Sequence, residues 1–449
     1  VFAQAVSDDG TGTVDNTEHV QDAIIASNAT VPTTITLGDG AVLRNFGGMS
    51  AVRATGAAKL VMESGSVIED TLSGYTRSKG TDTRSVGPAG AVWLQGSDFE
   101  MENGAEIKNV NGRAVYTDGG SVSVGGTISG ITGNPAMWQG KDGTAIHLRG
   151  ENASAVLTST AVIENISGGG SAVFVTGSGN KLTTDPGSII KDVANTTGIY
   201  CSFNSDAQLS GEITGVKNSI ALSLNDSAAA VLKKEGIICN NVCSTAAVYL
   251  RADAQFKIYG KINDNTSTGN CAALFIVTNG AASHATLEPG GEICSNTNGG
   301  SKYGAAVELQ QGSCSFTMNG GTISGNSGPC GAVQVHKDSA KFIMNDGEVT
   351  GNTSTTGGEA GIYVEAKTPT VELNAGKAQS VTLAANVSAL PNKGHIYISD
   401  RFDLESGLVA MAQDAKTVTP AADSLDIKLG NASADSIADL TAAATANGW

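Results

Sequence analysis

Two carboxylates held about 5 to 9 Å apart on one face would hydrolyse a glycosidic bond. Clustered acids beside a basic residue would bind Ca²⁺ and abstract a proton, as a lyase requires. The residues that follow a recurring isoleucine are Glu69-Asp70, Lys108-Asn109, Ser129-Gly130, Glu164-Asn165, Lys191-Asp192, Thr214-Gly215 and Asn263-Asp264. Acids there are interrupted by neutral residues or paired with lysine. Glu164 with Asp192 is the best adjacent pair, and solvated bend residues are the simpler reading. Glu308 stands alone on its strand. The position after that strand gives Arg149, Thr176, Ser202, Arg251, Gln310, His336 and Glu365, with no constellation. His19, His147, His284, His336 and His395 occupy unrelated positions, and His147 is expected to face solvent from a strand. No nucleophile elbow or phosphate-binding glycine loop occurs, because the G-x-G stretches lie at bends without a following helix. No catalytic residue, cofactor or metal site is assigned.

The unusual feature is aromatic. A motif A-V-x-L recurs, and its third residue is expected to point outward. Down the chain that position reads Trp93, Tyr116, His147, Phe174, Tyr200, Ala221, Tyr249, Phe275, Glu308, Gln334, Tyr363 and Tyr397. The residue two earlier is nearly always small, as at Ala91, Ala114, Ala145, Ala172 and Gly198. An aromatic rib beside a small-residue trough is therefore expected, and contiguous apolar surface tends to mark contact sites. Flat rings stack on sugars or anchor a protein partner with little entropy lost. The candidate ligand-binding residues are Trp93, Tyr116, Phe174, Tyr200, Tyr249, Phe275, Tyr363 and Tyr397. The bland alternative is that registered rings only stack on one another, or that long loops cover them.

These residues need elements that bring distant segments into register. A second motif, F-x-M-x-x-G, follows the first, as at Phe99, Phe316 and Phe342. Then comes G-x-I/V-x-G/N/D, with its apolar residue at Ile68, Ile107, Ile128, Ile163, Ile190, Ile213, Ile238, Ile262, Ile293, Ile323 and Val349. Successive members lie 21 to 39 residues apart. Apolar alternation of period two means strands, and a period in the twenties means a solenoid whose units hide their apolar faces on their neighbours. Asp70, Asn109, Gly130, Asn165, Asp192, Gly215, Asn240 and Asp264 suit bends with positive φ. The expected fold is all-β, a right-handed single-stranded parallel β-helix of about 12 to 13 coils, with handedness taken from the usual chirality of parallel crossovers.

Three residues past the isoleucine the earlier coils carry Val110, Ile131, Ile166, Val193 and Val216. The later ones carry Asn241, Asn265, Asn296, Asn326 and Asn352. Amides in register can bond from coil to coil, so a structural asparagine ladder is expected. Residues 1–35 lack the repeat. Asp15-Asn16-Thr17-Glu18 followed by Val20, Ala23, Ile24 and Ile25 reads as a capped helix that plugs the first coil. The β-helix is placed at 36–400. Residues 401–449 are a C-terminal cap or the start of a further module, with a strand at 424–429 and an Ala-rich, helical end at 434–446.

The 449 residues contain 58 Gly and 9 Pro, in keeping with many tight bends, and the net charge of −16 leaves no basic run for a nucleic-acid partner. No apolar stretch of membrane length occurs. The opening Val1-Phe2-Ala3-Gln4-Ala5 resembles the end of a signal peptide, which implies a secreted or cell-surface location. Seven cysteines at 201, 239, 243, 271, 294, 314 and 330 leave at least one without a partner in the chain. Cys239 with Cys294, and Cys271 with Cys330, lie two coils apart and should not bond. Cys243 and Cys271 fall in adjacent coils, where a disulfide and two thiols are equally reasonable.

Phe316-Thr317-Met318-Asn319-Gly320-Gly321-Thr322-Ile323 holds both F-x-x-N and G-G-x-I, and Phe342 to Asn345 repeats the first. Over roughly residues 40 to 400 the repeat resembles that of chlamydial polymorphic outer-membrane proteins and of related β-helix surface proteins of gut anaerobes. The resemblance implies a bacterial adhesin or interaction protein, with a host glycan or a surface protein as partner. Most coils lack Asn after the Phe strand, and neither a transporter barrel nor a wall-anchoring motif is present. The start, Ser7-Asp8-Asp9-Gly10-Thr11-Gly12, is similar to that of pectate-lyase-like enzymes and phage tailspikes. A polysaccharide-active lyase or glycoside hydrolase is the rival expectation, and a passive surface stalk the third.

Overall fold

The computed structural model describes residues 2–3, 13–15, 22–46, 50–72, 90–133, 143–300, 303–356, 360–366, 369–383, 395–398, 401–404, 409–411 and 426–429. Among them there is no helix, and the chain forms a parallel β-solenoid of about 12 turns. It divides into two compact units, Val1–Ser223 and Leu224–Trp449.

In the middle of the first unit a coil carries three strands, because the repeat has three apolar alternations separated by bends. One coil runs Val92–Gln95, Asp98–Met101 and Glu106–Asn111. The next runs Arg113–Asp118, Ser121–Val124 and Thr127–Ile131, with Val92 beside Val115, Phe99 beside Val122 and Ile107 beside Ile128. All six of those side chains are buried. Like stacks on like, and each contributes roughly 1.5–3 kcal/mol by leaving water. The second unit repeats the plan and adds a short fourth strand, as at Val242–Cys243 and Thr266–Ser267. Val248–Leu250, Gln255–Ile258 and Lys261–Asn263 pair with Leu274–Ile276, His284–Leu287 and Glu292–Cys294. Phe316 stacks on Phe342 with ring centroids 5.9 Å apart.

The bends follow the local sterics. Asp70, Asn109, Gly130, Asn165, Asp192, Gly215, Asn240 and Asp264 all have left-handed backbones, with φ between 51° and 65°. At Gly130 a Cβ would also lie 2.8 Å from Asn109 Oδ1 of the neighbouring coil.

The asparagine ladder forms in the second unit. Nδ2 of Asn241, Asn265, Asn296 and Asn326 donates to Oδ1 of the next Asn at 2.8, 2.9, 2.9 and 2.9 Å. The same amides of Asn265, Asn296, Asn326 and Asn352 cap the carbonyls of Ile238, Ile262, Ile293 and Ile323. Gln379 adds a further rung, since its Oε1 accepts from Asn352 N at 2.6 Å. In the first unit Val110, Ile131, Ile166, Val193 and Val216 fill the equivalent position and are buried.

Four expectations need correction. Asp22–Leu37 is a strand, with Ile24 beside Val52 of Ser50–Met62. Residues 22–26 therefore do not end a capping helix, and 16–21 lie outside the described residues. Ala23-Ile24-Ile25-Ala26 repeats Ala51-Val52-Arg53-Ala54, so strand pairing overrides the helical spacing. Next, Leu222–Leu224 forms the strand after Tyr200, with Ser223 at its centre. Ala221 is buried, and Ile220 is only half-buried. The apolar alternation allowed a slip of two residues, which keeps the same faces. Third, His395–Ile398 pairs with Thr370–Leu373, the second strand of its coil, so Tyr397 lies beside Glu372 and not beside Tyr363. Thr382 and then Ala410 follow Tyr363. Finally, Asp426–Leu429 pairs with His395–Ile398, so coil pairing runs past residue 400. The Ala-rich stretch 434–446 lies outside the described residues.

All seven cysteines are thiols. The Cys243–Cys271 bridge is not formed, and burial pushes the Cys271 thiol well above its ordinary range.

Candidate functional site

In the first unit the first-strand column runs Arg53, Trp93, Tyr116, His147, Phe174 and Tyr200, each in register with the next. Its rings are in contact from Tyr116 through His147 and Phe174 to Tyr200. The Arg53 guanidinium lies 4.1 Å over the Trp93 ring. Tyr116 meets His147 edge-on at 5.1 Å, and His147 meets Phe174 at 4.7 Å. Phe174 and Tyr200 stack at 4.9 Å with 26° between their planes.

Exposure divides this column. Trp93 and Tyr116 are 5% and 0% exposed, so the expectation of a uniformly outward rib fails at these two rings. Phe174 and Tyr200 are half-buried and open onto a cavity of about 320 Å³, which Thr144, His147, Ser171 and Thr197 also line. His147 is not a surface residue: it is 8% exposed, and Nε2 has no hydrogen-bond partner. Burial, with Arg113 and Arg149 nearby, holds its imidazole well below the ordinary range and therefore neutral. Nor do the small residues form an open trough, because Ala91, Ala114, Ala145 and Ala172 are buried. Their size is set by the adjacent coil: a Cβ at Gly198 would lie 2.4 Å from the Ala221 carbonyl oxygen.

In the second unit the column runs Tyr249, Phe275, Glu308, Gln334 and Tyr363. Tyr249 stacks on Phe275 at 5.6 Å, but Phe275 is only 5% exposed, whereas Tyr249 and Tyr363 are half-buried.

Beside them lies a group that the column-by-column reading of the sequence missed. Glu308 and Gln334 are both fully buried. Gln334 Nε2 donates to Glu365 Oε2 at 3.0 Å, and His336 Nδ1 lies 2.7 Å from the same oxygen. The Tyr303 ring meets His336 edge-on at 5.7 Å. Asn298 positions that tyrosine, since its Nδ2 donates to the carbonyls of Asn270, Tyr303 and Gly304. Burial pushes the Glu308 carboxyl up to about 9. Burial also acts upward on Glu365, but the hydrogen bond and charge of His336, helped by Gln334 and Lys337, outweigh it and hold that carboxyl below its ordinary value. A cavity of about 440 Å³ opens beside His336 and Glu365.

Glu164 and Asp192 do not act as a pair. Register sets Glu164 beside Lys191, which it meets at 3.0 Å, and Asp192 is an exposed bend residue. A further residue without a sequence signal is Phe203, 58% exposed just past Tyr200. No family model matches the chain, and no curated protein matches it. Among the described residues no helix is long and apolar enough to cross a membrane.

Proposed function

We propose that this chain is an extracellular, non-enzymatic binding module of a bacterial surface, adhesin-like, which holds a glycan or a surface protein against its first-strand face. The observation that carries the reading is the Phe174–Tyr200 stack, which lines a cavity of about 320 Å³. Thr144, Ser171 and Thr197 supply hydroxyls to its walls, and His147 supplies a buried neutral imidazole. An apolar platform with a few polar groups suits a sugar ring, which presents C–H faces and O–H edges. The likeness of the repeat to β-helix surface proteins supports the same class. The net charge of −16 disfavours anionic partners.

The test is binding of the chain to a broad array of glycans and glycoproteins, beside a folded Phe174→Ser/Tyr200→Ser variant. Binding lost only in the variant supports the reading. Binding that survives the substitution removes the groove as the site, and no binding by either protein favours a passive stalk.

A carbohydrate-active enzyme is the second reading, favoured by the opposite displacement of two carboxyls, Glu308 upward and Glu365 downward. Release of new reducing ends from a polysaccharide, abolished by Glu308→Gln, would establish it. Absence of release over a broad polysaccharide panel would dismiss it.

A further inference from the structure

We propose that the cleft lined by Gln310, Gln311, His336, Lys337, Asp338 and Glu365 binds a neutral sugar through adjacent hydroxyl groups. It uses none of the residues of the Phe174–Tyr200 groove, and it stands or falls without that groove.

The repeat itself builds the cleft. Gln310, His336 and Glu365 each directly follow a first strand, Val307–Leu309, Val333–Val335 and Ile362–Val364, and so occupy equivalent positions of successive coils. Glu308, Gln334 and Tyr363 are in register on three successive coils. Gln310, His336 and Glu365 therefore meet in the wall of one cleft. The cavity of about 440 Å³ lies within the size range of small-molecule sites, roughly 300–1,000 Å³.

Its wall includes acceptor oxygens left without a donor. Oε1 of Gln310, a wall residue of the cleft, is buried without a protein partner. Gln334 is fully buried, and its amide is held against Glu365, a wall residue of the cleft. Glu365 uses only Oε2 in its bonds to Gln334 and His336. Buried acceptors without donors cost about 1–3 kcal/mol each, so a ligand that donates gains most here. Neighbouring hydroxyls on a sugar ring supply two donors side by side, matching a carboxylate or an amide next to a carboxylate. A uronic acid would bring further acceptors against Glu365 and Asp338. A cationic amine would meet Lys337 in the same cleft.

The probes are cellotetraose, mannotetraose and chitotetraose, with tetragalacturonate as the anionic control. Each is titrated into the full chain by calorimetry, with near-ultraviolet circular dichroism confirming that the variants are folded. At least one neutral tetrasaccharide is expected to bind. Glu365→Gln and Gln310→Ala, two separate changes at the cleft, are each expected to weaken it about tenfold or more. The proposal is overturned if no neutral tetrasaccharide binds, if both cleft variants bind as the parent does, or if tetragalacturonate is preferred. Loss confined to Tyr200→Ser would put the sugar in the other groove and overturn it too.

Discussion

Glu308 and Gln334 stand in register on neighbouring strands, both without solvent exposure. Both oxygens of one and the carbonyl oxygen of the other lack a hydrogen-bond partner. A protonated Glu308 has one O–H to donate, and the Gln334 oxygen is the adjacent acceptor, so a proton held there relieves both. Burial, reinforced by the charge of Glu365 and opposed by Lys337, pushes the carboxyl from its ordinary 4.5 to about 9. Between those values the folded chain keeps a proton that the unfolded chain has released. Its contribution to stability is therefore largest below pH 4.5, declines as pH rises, and is lost by about pH 9. Glu308→Gln keeps the shape and needs no proton. It is expected to raise stability at pH 7 by up to about 3 kcal/mol and to flatten the decline. Urea midpoints at pH 5, 7 and 9 decide it, and equal slopes in the two proteins would sink the idea.

His147 has the opposite dependence. Its imidazole is held neutral chiefly by burial between Tyr116 and Phe174, with Arg113 and Arg149 adding to the effect. Below its ordinary value of 6.5 the unfolded chain takes up a proton that the folded chain refuses, so stability falls as pH drops. His147→Phe should remove this acid sensitivity while keeping the stack. In the parent, the ring carbon signals of His147 should not titrate between pH 8 and 5.5; a midpoint near 6.5 would show that the ring is solvated.

The asparagine ladder should be cooperative. Asn296 donates to Asn326 Oδ1 and to the Ile262 carbonyl, and its Oδ1 accepts from both the side chain and the backbone of Asn265. Asn296→Leu strands several buried groups at once and is expected to cost about 2–4 kcal/mol. The reverse change, Ile166→Asn, puts one amide between Ile131 and Val193 with no ladder to join, and should cost at least as much. Urea unfolding, with hydrogen exchange at the Asn265 amide, measures both. A loss under about 0.5 kcal/mol at Asn296 would mean that the ladder is incidental.

What the sequence disclosed follows the range of each cause. Bend residues such as Asn109 and Asp192 were legible because the left-handed backbone is a property of single residues. The ladder and most of the ring column were legible because parallel register carries one motif position onto the next. His336 and Glu365 stood side by side in one column but were passed over, because the Gln334 and Glu308 that complete the group lie in a neighbouring column and each column shows one acid at a time. The burial of Trp93 and Phe275 was also out of reach, since it depends on what covers the outer face rather than on alternation. Tyr397 was misplaced because Ile396-Tyr397-Ile398 fits either strand of a coil.

Phe203 breaks the rule that the bends obey. Among the described residues it is the one aromatic with a left-handed backbone, φ 56°, beside Asn204 at 58°, and it is 58% exposed. That conformation costs a bulky residue about 1–2 kcal/mol, whereas asparagine tolerates it. Phe203→Asn is therefore expected to stabilise the chain by about 1 kcal/mol, read as a rise in the urea midpoint. Strain kept on an exposed ring just past Tyr200 is the pattern of a contact residue. The same variant should then bind less of whatever array ligand the Phe174→Ser/Tyr200→Ser protein loses. A chain that is more stable and binds more weakly makes Phe203 part of the contact face. One that is more stable and binds equally well makes it a surface residue, and one that is less stable refutes the strain argument.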